Sequence, residues 1–226
     1  MSFLNGGSLI DLGSATFRSI SIEGGIIEES APGAFFLSGL PNSGNIVPGG
    51  LATVFNNKGF GNATPLSGVS TSDNRWEFTN NNTIPDSISD ALVYTEANAL
   101  ETTISVINTP VKVNAVFVTE DISRLSHDGT GRVTYTGERP ARLPIDVTAS
   151  IVGASGGDKQ TTLYIAINGA IVSATGIQET TNSSKAGSFA LIWQYEFQPN
   201  DYVEAWVENN TDTTNIVAQN VVLRVN

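Results

Sequence analysis

The sequence predicts an all-β protein: an antiparallel sandwich of about ten strands preceded by a glycine-rich, extended N-terminal arm. Three observations predict it. Apolar and polar residues alternate with a period of two through most of the chain beyond Trp76. Turn-forming residues separate the alternating runs. Glycine is concentrated at the other end, with 13 of the 22 glycines in residues 1–75.

Taken in order, residues 1–75 carry Pro32, Pro41, Pro48 and Pro65, and their apolar runs at 15–22, 34–37 and 51–55 are short. Glycine and proline interrupt each run before a long element can form. The segment reads as an arm or a small irregular β layer, with a boundary near 67–74; a separate small β domain is the alternative. No repeat of fixed period is visible, which argues against a solenoid. From Trp76 onward the runs are regular. Leu143, Ile145, Val147, Ala149 and Ile151 alternate with polar residues and Pro144, and Phe189, Leu191, Trp193, Tyr195 and Phe197 do the same. Leu163, Ile165 and Ile167 form a third run, and Val203, Ala205 and Val207 a fourth. This period puts one face of each strand on a core. Asn168-Gly169 sits between two runs and marks a tight hairpin, because both central residues of a type I′ turn need positive φ. Asp128-Gly129, residues 153–158 and Pro199-Asn200-Asp201 mark further turns.

Composition removes several classes of function. The 226 residues contain no cysteine and one histidine, so thiolate chemistry and multi-histidine metal centres are excluded. Asp and Glu number 22 against 11 Lys and Arg, a formal charge of -11. That balance argues against nucleic-acid binding. No apolar run approaches the roughly 20 residues of a membrane-spanning helix. The start, Met1-Ser2-Phe3-Leu4-Asn5-Gly6-Gly7, lacks the basic and apolar regions of a signal peptide. The expectation is therefore no membrane partner, no cofactor, and synthesis in a cytoplasm without Sec export.

The motifs that could carry chemistry each have a plainer reading. Gly153-Ala154-Ser155-Gly156-Gly157 matches G-x-S-x-G, but a nucleophile elbow needs a helix after it, and here a strand pattern follows. His127-Asp128 lies at a turn rather than in a catalytic pair. Glu120, Asp121 and Asp128 fit no defined calcium loop. Tyr202, Glu204, Trp206 and Glu208 share one strand face, while Val203, Ala205 and Val207 take the core side. Two carboxylates on one short strand lack the facing geometry of a glycosidase pair. Subunit packing ranks first for this face, sugar binding second and catalysis last.

Residues 76–226 resemble the tumour-necrosis-factor-like and complement-globular-domain jelly rolls, especially the versions in phage virion proteins. The residues that carry the resemblance are Trp76-Glu77-Phe78-Thr79-Asn80, the run 102–110, Arg132-Val133-Thr134-Tyr135-Thr136-Gly137, Leu163-Tyr164-Ile165-Ala166-Ile167-Asn168-Gly169, the run 200–209 and the closing run 216–225. The resemblance implies an antiparallel jelly-roll sandwich that assembles as a homotrimer, with no catalytic residues to carry over. It implies a non-enzymatic virion structural protein: a capsid decoration or cement protein, or a short head fibre, on the capsid surface. Its partners would be the major capsid protein or another virion protein. A receptor- or glycan-binding tail-fibre tip is the alternative, with a host surface glycan as its ligand. In this reading Tyr202, Trp206 and Val222 are the subunit-interface or ligand contacts. Phe3, Leu4, Phe17, Phe35 and Phe36 are the candidates for capsid attachment through residues 1–75.

Overall fold

The computed structural model describes residues 8–24, 35–42, 44–57, 65–82 and 84–226. Among them there is no α-helix, and a single 3-10 turn spans Ser173–Thr175. The chain divides into two compact units. The first comprises Met1–Ile88 with Gly137–Arg139, the second Ser89–Thr136 with Pro140–Asn226.

The described residues of the first unit form six strands: β1 (Ser8–Asp11), β2 (Phe17–Glu23), β3 (Phe35–Ser38), β4 (Ile46–Phe55), β5 (Leu66–Ser67) and β6 (Trp76–Thr79). They alternate between two three-stranded sheets, in the orders β1-β3-β5 and β2-β4-β6, and every pairing is parallel. The chain therefore winds as three coils of a short solenoid, each coil giving one strand to each sheet. The described part of residues 1–75 thus lies in two small sheets, and its coils stack although the sequence has no fixed repeat. Trp76–Thr79 is the third strand of one of these sheets, so the compact unit runs on to Ile88. Ala52, Val54, Trp76 and Phe78 point inward with Phe36, Leu37, Ile46, Val69 and Ile84, and Trp76 stacks on Phe78 at 5.9 Å.

The corners of the coils explain the glycine and asparagine. Gly24, Asn56 and Asn80 follow β2, β4 and β6, and all three have positive φ (56°, 56° and 53°). Glycine and asparagine tolerate that conformation best. Asn80 Nδ2 donates to Asn56 Oδ1 at 2.7 Å, and Asn57 and Asn81 pair one residue further on at 2.9 Å. At the corner before β4, Asn45 is fully buried. It accepts from the Leu40 N–H and donates to the carbonyls of Gly13 and Ala15, which ties the first coil to the second.

The second unit has twelve strands: β7 (Asp90–Thr95), β8 (Val111–Lys112), β9 (Val118–Ser123), β10 (Leu125–His127), β11 (Val133–Tyr135), β12 (Ala141–Gly153), β13 (Lys159–Ile167), β14 (Ala170–Ile171), β15 (Ile177–Thr181), β16 (Gly187–Phe197), β17 (Tyr202–Asn209) and β18 (Ile216–Val225). One sheet has the order β16-β12-β18-β7-β9. The other runs β10-β11-β17-β13-β14, with β15 also on β13 and β8 also on β17. All pairings are antiparallel. From β11 the chain crosses to β12, returns to β13 and β15, crosses to β16, returns to β17 and crosses again to β18. That winding makes the unit a jelly roll. The expected inward residues form one core, including Ile145, Val147, Leu163, Ile165, Leu191, Phe197, Val203, Val207 and Leu223. The hairpin at Asn168-Gly169 has φ of 52° and 74°, as an I′ turn requires. The run 102–110 is not a strand. Thr102 bridges to Ile216, the Ile104 N–H goes to the Asn215 side chain and the Asn108 N–H to the Asn209 carbonyl, so its backbone finds scattered partners instead of a ladder.

Candidate functional site

The outward face of the five-stranded sheet is set by strand register. Thr148 of β12 pairs with Ala190 of β16 and with Val222 of β18, Val222 pairs with Tyr94 of β7, and Tyr94 pairs with Val118 of β9. This row crosses all five strands and carries only one polar side chain besides the Tyr94 phenol. The neighbouring row runs Ile192, Asp146, Arg224, Leu92 and Asp121. Ile192 is 79% exposed, Val118 48% and Val222 38%. Arg224 Nε lies 3.6 Å from Asp90 Oδ1 beside this band. One row rich in apolar residues, with the charges of Asp146, Arg224 and Asp121 in the next, has the anatomy of a protein interface.

The other sheet turns a different face outward. Tyr202, Glu204, Trp206 and Glu208 share it, as their spacing predicts, but the two glutamates are buried and the two aromatic residues half-buried within the chain. Glu204 is 1% exposed. It accepts from Lys112 Nζ at 2.9 Å, Arg132 Nε at 2.9 Å and Trp206 Nε1 at 3.0 Å. Burial pushes its carboxyl up, but the bonds from Lys112, Trp206 and Arg132 outweigh that and hold it below the usual glutamate value. The Arg132 guanidinium lies over the Tyr202 ring at 4.0 Å. Glu208, also buried, accepts from Tyr164 Oη at 2.7 Å and Asn210 Nδ2 at 2.8 Å. Burial and Glu208 together push the Tyr164 phenol up to about 12.

Tyr202 and Trp206 thus lie on the opposite sheet from Val222, and the three residues do not form one surface. Sequence alternation places Tyr202 and Trp206 off the core, but it cannot show that Arg132 and Lys112 lie across that face. The two glutamates are held in separate networks, so they make no facing carboxylate pair. Residues 153–157 join two strands, β12 and β13, and give no nucleophile elbow. His127 bonds Thr119 and the Gly131 N–H rather than Asp128. Among the described residues no group of three His, Cys, Asp or Glu could hold a metal ion. The amides of the loop 209–215 are engaged within the chain: Asn209 Nδ2 donates to Asp212 and to the Thr214 carbonyl and its Oδ1 accepts from the Thr211 and Asp212 N–H groups, while Asn215 Nδ2 donates to Glu101 at 2.7 Å.

Of the attachment candidates, Phe3 and Leu4 lie outside the described residues. Phe35 begins β3. Phe36 is a buried core residue and Phe17 packs partly buried against the same core, so their rings hold the solenoid together rather than face a partner. Among the described residues, β1 and β2 each have one parallel neighbour, β3 and β4, and so present a strand edge. At the opposite end β5 likewise has one neighbour, and residues 84–87 lie along β6. The Ser87 N–H donates to the Phe78 carbonyl, Ser87 Oγ accepts from the Phe78 N–H, and Asp86 accepts from the Asn80 N–H.

No protein-family model matches the sequence, and no curated protein matches it. Three of the solved structures to which the chain is similar are a phage protein and two of the tumour-necrosis-factor kind. Rabbit GITRL is 12% identical with a TM-score of 0.35, over 60% of this chain and 92% of that one. The PRD1 vertex protein P5 is 7% identical with a TM-score of 0.42, over 61% and 94%. Murine APRIL at pH 5.0 is 8% identical with a TM-score of 0.39, over 60% and 98%. They are of the two kinds that the strand pattern resembles. The jelly roll itself is established by the strand order given above.

Proposed function

We propose that the chain is a non-enzymatic structural protein of a virion. In this reading it is a homotrimer built through the β16-β12-β18-β7-β9 face and attached to the capsid by its first unit. The observation that carries the reading is the apolar row through Val222, which crosses all five strands and is left without cover among the described residues. A cyclic assembly of jelly rolls would close over it. The first unit supports the attachment half: among the described residues β1 and β2 end its two sheets with one neighbour each, and a strand edge suits docking by strand addition to a capsid protein. The acidic charge keeps the remaining surface soluble and away from packaged nucleic acid.

The glycan-binding alternative has less behind it. Tyr202 and Trp206 are half-buried and engaged by Arg132 and Glu204, and the amides of Asn209, Asn210 and Asn215 are spent on hydrogen bonds within the chain. The test is particle occupancy. Particles assembled with a chain lacking residues 1–88 are expected to carry none of it, while the full chain decorates them. Undiminished occupancy of the shortened chain overturns the attachment role.

A further inference from the structure

The one histidine of the sequence sits at a structural clasp. His127 ends β10, and the loop 128–132 joins β10 to β11. The Gly131 N–H donates to His127 Nε2 at 3.2 Å, and His127 Nδ1 lies 3.0 Å from Thr119 Oγ1 of β9. A backbone N–H can only donate, so Nε2 is the unprotonated acceptor. The ring proton is therefore on Nδ1, which donates to Thr119 Oγ1. The loop has little room to settle differently. Gly131 has φ of 83° and is so close to the Phe117 ring that a Cβ would sit 2.5 Å from it. The Phe117 N–H in turn donates to the Gly129 carbonyl at 3.0 Å.

Protonation would place a second N–H on Nε2, pointed at the Gly131 N–H. Two donors cannot share that position, so the loop must leave. The same loop carries Thr130, whose Oγ1 accepts from Lys112 Nζ at 2.7 Å, and Asp128, which accepts from the Thr130 and Arg132 N–H groups. Gly129, Thr130 and Lys112 also form part of the wall of a cavity of about 390 Å³ in this unit. We propose that His127 is an acid-released clasp on the loop 128–132, closed when the ring is neutral and open when it is protonated.

The charges around the ring are few. Asp128 follows it in the chain, Lys112 comes from β8 and Arg132 ends the loop 128–132. On β9, Asp121 pairs with Leu92 on the sheet's opposite face, and Glu120 is the bulged residue between Asp121 and Thr119. Burial lowers the His127 value, Asp128 opposes this and Lys112 adds to it, leaving the ring below the usual 6.5. The sign follows: the closed loop is stabilised above pH 6.5 and that stabilisation is lost as pH falls through the folded value.

The test uses the full chain with ¹⁵N-labelled histidine, whose single ring gives a single signal set. At pH 7.5 the ring should be the Nδ1–H tautomer; an Nε2–H tautomer overturns the proposal without any variant. Between pH 7.5 and 5.0 the exchange protection of the Gly131 amide, corrected for intrinsic rates, should fall at least about tenfold, the equivalent of about one pKa unit of coupling. In His127→Gln, whose side-chain carbonyl accepts at every pH, protection should hold. Equal protection at both pH values in the wild type, or the same fall in His127→Gln, also overturns it.

Discussion

Glu204 shows how one residue can defeat the usual reading of a carboxylate. In a strand it should face water or catalyse. Here it is buried, and three donors from three different segments converge on it: Lys112, Arg132 and Trp206. An ionised carboxylate survives burial only with such partners. Its two cations remain partly exposed, which limits what their loss of a partner costs. Glu204→Gln should therefore destabilise the protein by about 2–3 kcal/mol at pH 7, below the ~3–5 kcal/mol of a fully enclosed pair. The folded value lies below the unfolded one, so the contribution of the ionised form is present above pH 4.5 and is lost as pH falls through the folded value. Urea unfolding at pH 7 and again below pH 4 checks both parts: the gap between variant and wild type should narrow in acid. A gap that stays constant with pH would mean that the carboxylate charge is not what the site holds.

The solenoid belongs to the scale of elements, and it is where sequence and structure part company most. The strand repeat is present: Ile20-Ser21-Ile22-Glu23-Gly24, Ala52-Thr53-Val54-Phe55-Asn56 and Trp76-Glu77-Phe78-Thr79-Asn80 stack in register, each ending on a left-handed residue. It has no fixed period, because Ile20 and Ala52 are separated by more residues than Ala52 and Trp76. Parallel strands also need no alternating hairpin signal, since their connections leave the sheet. The jelly-roll strands were legible for the opposite reason. Each is bounded by turn residues and alternates strictly, so Leu143 to Ile151 and Leu163 to Ile167 could be assigned to a face. What alternation could not supply was the cover on the second face of β17, because Lys112 and Arg132 arrive from distant segments. For the solenoid the sensitive residue is Asn45, a buried side chain whose bonds to the Gly13 and Ala15 carbonyls join two coils while it also holds the Leu40 N–H. In Asn45→Ala these bonds are lost, and because Gly13, Ala15 and Leu40 are exposed and water can replace the side chain, the cost falls toward the low end of the ~1–3 kcal/mol of a buried unpaired group. Hydrogen exchange in the full chain should accelerate at least tenfold in peptides from β2 and β4, with β12 and β16 unchanged. Unchanged exchange in β2 would mean that the coils are held without this corner.

At the scale of the whole molecule the question is what covers the β16-β12-β18-β7-β9 face. Val222 lies on β18, the middle strand of that sheet, with Thr148 and Tyr94 in register on either side. Truncations at the centre of an interface cost more than those at its rim, since the centre is the part fully removed from water. A trimer of this chain would need to bury about 800 Å² per partner to be stable, and a face of five strands has the breadth for it. Light scattering on the purified full chain should then give three times 23.8 kDa, independent of concentration across the micromolar range. Val222→Arg puts three like charges near the threefold axis without touching the core beneath, because Val221 and Leu223 carry the inward contacts. It should reduce the mass to that of one chain while circular dichroism stays that of a β protein. Tyr202→Ala, on the opposite sheet, should leave the mass at three chains. A wild-type monomer removes the threefold reading altogether. A trimer that survives Val222→Arg but is lost in Tyr202→Ala moves the interface to the sheet that carries Glu204.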